Sequence, residues 1–303
     1  MKDKVAVVTG GGRGIGKEIS LLLAQEGASV LVNDTGCEID GTSSSNQPAN
    51  QVVSEIKSNG GNALANYADV SLMENGEAII KSAIDNFGHL DILVNSAGIL
   101  KDRMIYHMSP QEFDLVIRNN VKGMFTTTKF ASILFRQQRG GRIVNMTSDA
   151  GLGAIGRSNF GASSEAIVGL TRTVARDLGK YGVTCNAISP MVETRLFPGT
   201  VDEFRVIEGP KPTPDQRAGI GPSKTLDDWT GAGYHDAPEN VAPLAVYLCS
   251  DISEDINGNV FGIRGNSIYL YSNPDIEKSI YKWGKFTMDE MDELVPKMFG
   301  MGF

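Results

Sequence analysis

"VVTGGGRGIGKEI", residues 7–19, decides the fold. A short apolar run, "KVAVVT", leads into it, and an apolar-periodic helix over 15–26 leads out. Between them stand Thr9, Gly10, Arg13, Gly14, Ile15 and Gly16. Glycines at 10, 14 and 16 let a backbone turn tightly and approach an anion seated on the helix N-terminus. A glycine-rich turn alone is weak evidence, because structural glycines are common in turns. Its context is more specific: a strand before, a helix after, and an acid at the end of the next strand.

That acid is Asp34, 18 residues beyond Gly16. A carboxylate there bonds the ribose hydroxyls of a dinucleotide and repels a 2′-phosphate. The expected cofactor is therefore NAD rather than NADP. Arg13, inside the loop, is the one residue that pulls the other way.

Outward from this turn the alternation continues. "ASVLVN", "NALANYADV", "DILVNSAG", "GRIVNMTS" and "GVTCNAISP" read as strands two to six. Helices are expected over 73–87, over 110–138 as one long or two joined pieces, and from "RSNFGASSEA" onward. Ser109 is placed to cap the second of these, with Pro110 at its first position. "PENVAPLAVYLCSD" reads as an amphipathic helix and "GNVFGIRG" as a last strand. Strands alternating with helices imply a parallel sheet with right-handed crossovers. The fold class is α/β: a Rossmann-like, doubly wound sheet of about seven strands, with ligands at the carboxyl ends of its strands.

Two segments break the rhythm. Residues 35–50 form a polar Ser/Gly loop, and 196–237 is long and rich in Pro and Gly, as lids often are. The expected organisation is one domain over 1–270, with that insertion, and a helical tail over 271–303.

The bulk numbers fit this reading. The 303 residues are 41% hydrophobic and 21% charged, ordinary globular values. A net charge of −8 offers no basic excess for nucleic acid. No apolar run approaches the roughly 20 residues that span a bilayer. Cys37, Cys185 and Cys249 are scattered, with neither disulfide-framework nor zinc spacing. The expected setting is cytoplasmic, without a leader and without a metal.

The motifs together resemble the short-chain dehydrogenase/reductase family over nearly the whole chain up to about residue 270. Its Thr-Gly-x-x-x-Gly-x-Gly falls on Thr9 to Gly16, and its Asn-Asn-Ala-Gly on "NSAG", with Asn95, Ala97 and Gly98. The resemblance places Asp69 and Val70 at adenine, and Pro190 and Thr194 near the nicotinamide. Met191 stands where a glycine is usual. Asn120 and Ser148 fall on the family's asparagine and serine. "LVNDTG", "AGILKDRM" and "PENVAPLAVYLCSD" resemble the branch of 3-hydroxyacyl-CoA dehydrogenases found in multifunctional β-oxidation enzymes.

The resemblance also implies a missing acid. The family transfers hydride to a carbonyl and protonates the alkoxide from a tyrosine. A lysine four residues later lies on the same helix face and favours the phenolate. Here those positions hold Phe160 and Ser164, and the twelve-residue spacing from Ser148 fixes the register. Phe keeps the ring without its proton, and Ser lacks the charge. Tyr234 and His235 are candidate replacement acids. Asp149 is expected to point away from Ser148, and His89 and His107 to be surface residues. Lys101 and Arg103 could hold acidic groups of a substrate such as the phosphates of CoA. The expected protein is an NAD(H)-binding homologue with a degenerate site. As a non-catalytic subunit it would join a tetramer, pairing with an active relative that oxidises a 3-hydroxyacyl-CoA. The alternatives are a working oxidoreductase with another acid, or a different reaction on the same scaffold.

Overall fold

The computed structural model describes residues 1–197 and 237–299. These divide into a main body ending at Tyr271 and a C-terminal segment from Ser272.

The main body is built on one eight-stranded sheet. Its strands are β1 (Val5–Thr9), β2 (Ser29–Asn33), β3 (Asn62–Asn66), β4 (Ile92–Asn95), β5 (Gly141–Met146), β6 (Val183–Met191), β7 (Val260–Arg264) and β8 (Ser267–Leu270). Their order is β3-β2-β1-β4-β5-β6-β7-β8. Every pairing is parallel except β7 with β8. The order reverses between β1 and β4, and a crevice opens there at the strand ends.

Helices cover both faces. They are α1 (Gly14–Gln25), α2 (Gln47–Ser58), α3 (Met73–Phe87), α4 (Pro110–Val116), α5 (Gly123–Gln138), α6 (Ser158–Gly179) and α7 (Ala242–Leu248). β1 shows why its strands read as continuous apolar runs: Ala6 and Val8 pack into one core, Val5 and Val7 into the other. A strand buried on both faces has no reason to alternate.

The differences from expectation have local causes. "NALANYADV" is a strand only to Asn66, whose side chain accepts from the Ala68 N–H at 3.0 Å and from Asn33 Nδ2 at 2.9 Å. That turns the chain out of the sheet. The polar loop ends at Asn46, because α2 follows. Its Ala49, Val52, Val53 and Ile56 are all buried, an i, i+3, i+4, i+7 stripe that the loop reading passed over. The "PENVAPLAVYLCSD" helix is α7 between 3₁₀ turns at Pro238–Asn240 and Asp251–Ser253. An eighth strand, β8, runs antiparallel on the edge. Its Tyr269 ring occupies the space a Cβ at Gly262 would fill.

The 110–138 helix is one run with a π-helical turn, Ile117–Lys122, in its middle. Ser109 caps it: Ser109 Oγ accepts from the Glu112 N–H at 3.2 Å, while Glu112 Oε2 accepts from the Ser109 N–H at 2.9 Å. This reciprocal box satisfies two orphan donors.

Among the described residues of the C-terminal segment, α8 (Met288–Phe299) is the one helix. It starts at a second such box between Thr287 and Glu290. The expected helical tail is therefore this one helix, and the preceding 271–287 has no regular element. No helix among the described residues is long and apolar enough to cross a membrane.

The capping box gives a pH-dependent prediction. Hydrogen bonds from the Ser109 backbone, then from Arg103, hold the Glu112 carboxyl down at about 2, against an ordinary 4.5. A depressed carboxylate stabilises the fold above its unfolded value and loses that contribution as pH falls through the folded one. Glu112→Gln is therefore expected to lower Tm at pH 7. The difference from the unmodified chain should shrink between about pH 4.5 and 2 in thermal melts.

Candidate active site cleft

The turn between β1 and α1 forms the floor of the crevice. Gly10 has φ +64° and Gly14 φ +49°, backbone that side chains rarely adopt. A Cβ on Gly16 would collide with the Gly10 carbonyl, and one on Gly10 would lie 2.7 Å from Ala97 Cα. The glycines are thus required by close approach of three chain segments. What remains is bare backbone at a helix N-terminus, shaped for a diphosphate.

Asp34 is 9% exposed and clamps this floor. Its Oδ2 accepts from the Gly12 N–H at 2.9 Å and its Oδ1 from the Gly36 N–H at 2.6 Å. Arg13 turns away from the carboxylate and donates to the carbonyls of Gly36 and Cys37 at 3.1 and 3.3 Å. Arg195 donates to the same Cys37 carbonyl at 2.9 Å.

One continuous cleft brings most of the sequence candidates together. Gly10, Arg13, Gly14, Ile15, Gly16, Asp34, Asp69 and Val70 line one part of it. Ala97, Gly98, Asn120, Ser148, Phe160, Ser164, Pro190 and Thr194 line the rest. Thr9 and Asn95 are not on its wall. Thr9 is 2% exposed, and its Oγ1 accepts from the N–H groups of Ser96 and Ala97 at 3.2 and 3.3 Å. It splices β1 to the "NSAG" loop. Asn95 lies beneath, donating to Asn145 Oδ1 at 2.9 Å and Thr128 Oγ1 at 3.1 Å and accepting from Thr127 Oγ1 at 2.7 Å. This network ties β4 to β5 and α5, so both residues hold the wall from behind. Residues the sequence did not single out also line the cleft, among them Cys37, Ile99, Ile167, Val192 and Phe197. They come from segments far apart in the chain.

Asn120 is aimed by the π-helical turn. It is buried, and its amide reads the backbone of Ile99 twice, accepting at 2.9 Å and donating at 3.1 Å. A π turn inserts one residue and redirects the side chains beyond it.

At the family's acid position there is no proton to give. Phe160 faces the cleft, edge-on to Phe197 with ring centroids 5.6 Å apart. Ser164 is 2% exposed, and its hydroxyl turns back to the Phe160 carbonyl at 2.8 Å. Ser148 Oγ accepts from the Ala150 N–H at 3.2 Å, capping the 3₁₀ turn Asp149–Leu152. It also lies 3.3 Å from Asp149 Oδ1, so Asp149 does not point away from it. The first turn of that small helix folds the carboxylate back over its own cap.

The wall near Phe160 is held by a buried ion pair. Arg157 Nε donates to Asp102 Oδ2 at 3.0 Å, with side chains 13% and 1% exposed. The guanidinium also lies 4.9 Å from the centre of the Phe197 ring. Burial pushes the Asp102 carboxyl above its ordinary value, with Arg157 opposing. Lys101 pairs with Asp40 at 3.4 Å and Arg103 with Glu112 at 3.1 Å, so both cations already have carboxylates. His89 pairs with Asp91 and His107 packs on Tyr106, both exposed. Tyr234 and His235 lie outside the described residues, as does most of the 196–237 insertion. Among the described residues no cluster is suited to a metal.

Sequence comparison agrees with this architecture. Residues 4–202 match the family model for short chain dehydrogenases. A short-chain type dehydrogenase/reductase of Mycobacterium tuberculosis is 36% identical over 95% of each chain. A hydroxyacyl-CoA dehydrogenase of the same organism is 35% identical over 92% of this chain and 82% of its own. The peroxisomal multifunctional enzyme type 2 of mouse is 34% identical over 86% of this chain, which spans 31% of that longer protein. The crystal structure of a short chain dehydrogenase from Mycobacterium avium superposes with a TM-score of 0.80. It is 35% identical, covering 99% of this chain and 95% of that one.

The chain belongs to the short-chain dehydrogenase/reductase family. Within it, the chain resembles the 3-hydroxyacyl-CoA dehydrogenases.

Removing one member of a buried ion pair strands the other charge. Asp102→Ala is expected to cost about 3–5 kcal/mol of folding stability, read as a lower denaturant midpoint. A loss near zero would mean that Arg157 finds water instead.

Proposed function

We propose that this chain is an NAD(H)-binding, non-catalytic subunit of an oligomeric dehydrogenase acting on 3-hydroxyacyl-CoA-type substrates. One observation carries the reading. The cleft is complete at its nucleotide end and lacks the tyrosine–lysine acid at its other end, where Phe160 and the inward-turned Ser164 stand.

The residues present fit a dinucleotide. The glycine floor leaves room for a diphosphate against the start of α1, and Asp34 sets a carboxylate beside the ribose position. Arg13 is held by two backbone carbonyls, which leave its charge intact, and the Asp34 carboxylate opposes a 2′-phosphate beside it. These features support NAD over NADP. The bound nucleotide would supply or accept hydride; the chain's own part is to bind and orient it. Ser148 can still meet an oxygen of a ligand, but no residue at position 160 can protonate one.

The substrate class comes from the relatives, whose names include hydroxyacyl-CoA dehydrogenase. The degenerate site supports a mixed tetramer with an active relative as its setting. Phe125 and Ile133 on α5, and Ile268 and Leu270 on β8, are exposed apolar side chains of the kind a partner covers. Three free cysteines agree with a reducing, cytoplasmic setting.

The decisive assay compares the unmodified chain with the double variant Phe160→Tyr, Ser164→Lys, following NAD reduction with 3-hydroxyacyl-CoA substrates. The unmodified chain is expected to show no turnover. The double variant should gain on the order of 10²–10⁴-fold over background, the worth of a positioned acid–base. Robust turnover by the unmodified chain alone overturns the reading.

Cysteine labelling tests the nucleotide end separately. Burial pushes the thiols of Cys185 and Cys249 up to about 12, and both are sealed in the core. Cys37 is partly exposed on the cleft wall. A maleimide should label Cys37 alone in the native protein, and saturating NAD should slow that labelling.

A further inference from the structure

A tight turn after β6 ties the two walls of the cleft together. Thr194 and Phe197 close it with two backbone hydrogen bonds. The Phe197 N–H donates to the Thr194 carbonyl at 3.0 Å, and the Thr194 N–H to the Phe197 carbonyl at 3.3 Å. Phe197 anchors one end, edge-on to Phe160 and 4.9 Å from the Arg157 guanidinium. Thr194 lies on the glycine floor: a Cβ at Gly14 would meet its Cγ2 at 3.7 Å. Between these two, Arg195 reaches across to the loop after β2 and donates to the Cys37 carbonyl at 2.9 Å.

The same carbonyl accepts from Arg13 at 3.3 Å. Two guanidinium groups thus share one neutral oxygen, and Arg13 immediately precedes α1. Like charges this close repel, and a carbonyl cancels neither. Each guanidinium has five N–H donors, more than these bonds use. Among the described residues on the cleft walls, the cations are Arg13 and Arg195 and the carboxylates are Asp34 and Asp69. The diphosphate of a dinucleotide carries two negative charges, which both carboxylates repel. Arg13 and Arg195 are what these walls hold to offset them.

We propose that Arg195 binds the diphosphate of the nucleotide: with Arg13 it closes over the glycine floor and holds the turn after β6 down on the ligand. The inference rests on the reading of the cleft as a dinucleotide site. A 2′-phosphate is the other anion that two guanidinium groups could take. It would sit beside Asp34, which opposes it, whereas the Thr194 contact places this turn on Gly14. The charge of Arg195 is then what matters, and its bond to Cys37 only aims it.

Isothermal titration calorimetry on the full chain tests this with NADH, NADPH, ADP-ribose and adenosine as probes. It compares the unmodified chain with Arg195→Gln and Arg195→Lys. Both substitutions keep a long side chain with an N–H donor for the Cys37 carbonyl, but only lysine keeps the charge. Arg195→Gln is expected to weaken NADH and ADP-ribose on the order of tenfold, the worth of a hydrogen bond to a charged group. Arg195→Lys should lose clearly less. Adenosine, which has no phosphate, should bind all three chains alike. Removing the charge should also flatten the salt dependence of NADH affinity. NADH binding to Arg195→Gln as tightly as to the unmodified chain overturns the inference and leaves the nucleotide reading standing. Equal losses in the two variants do the same, because the bridge and not the charge would then matter. So does a loss confined to NADPH, which would place Arg195 at a 2′-phosphate, or an equal loss for adenosine, which would make it a folding effect. Failure of the unmodified chain to bind NADH and ADP-ribose overturns both.

Discussion

The backbone of Gly16 rests on the carbonyl of Gly10, and no side-chain atom fits between them. The rest of the structure is organised by that contact. It fixes how closely the start of α1 approaches the end of β1, and it leaves the first amide groups of the helix facing open space. Gly10 also closely approaches Ala97, which draws the "NSAG" loop alongside. Asp34 then locks the turn from the other side through Gly12 and Gly36. Three strand ends are thereby held within reach of one ligand at the point where the sheet order reverses.

The opposite wall depends on the start of α6. Buried Asn159 donates to the carbonyls of Lys101 and Glu112 at 2.9 and 3.2 Å. Arg157 pairs with Asp102 nearby. These links set α6 against the loop after β4 without help from residues 160 or 164. Replacement of the family's tyrosine and lysine therefore leaves the scaffold intact. Phe160 keeps a ring of similar size, and Ser164 satisfies its own hydroxyl on the helix backbone, as serines in helices do. Both residues are accommodated without a stranded polar group at either position.

Much of the fold was legible because its signals are local. The glycine turn, the Ser109 cap and the apolar runs of β1, β2, β4 and β5 each act within a few residues of themselves. The misses share a different character. α2 has a clear helical stripe, but the polar loop before it masked its start. β8 is short, alternates weakly, and exists because β7 offers an edge and Gly262 leaves room for Tyr269. In the tail, Pro274 and Gly284 interrupt the stretch before α8, which starts behind its own capping box. The direction of Asp149 is not legible locally, because a side chain's direction in a 3₁₀ turn depends on where its cap sits.

The sequence by itself determined the family, the glycine-rich turn, and the identity of the residues at the two positions where the family carries tyrosine and lysine. It could do so because motif spacing along one chain fixes register without reference to distant parts. Tertiary structure alone decided which of the named residues face the cleft and which brace it. Thr9 and Asn95 carry family motifs as plainly as Gly10 and Ala97, but they turn inward to satisfy buried donors and acceptors. It alone set Phe197 against Phe160, and committed Arg13, Arg157 and Arg195 to partners far away in sequence. The physical reason is the same in each case. A side chain's charge and hydrogen-bonding capacity are local properties, but what remains of them for a ligand depends on which neighbours the fold has brought within 3 to 4 Å.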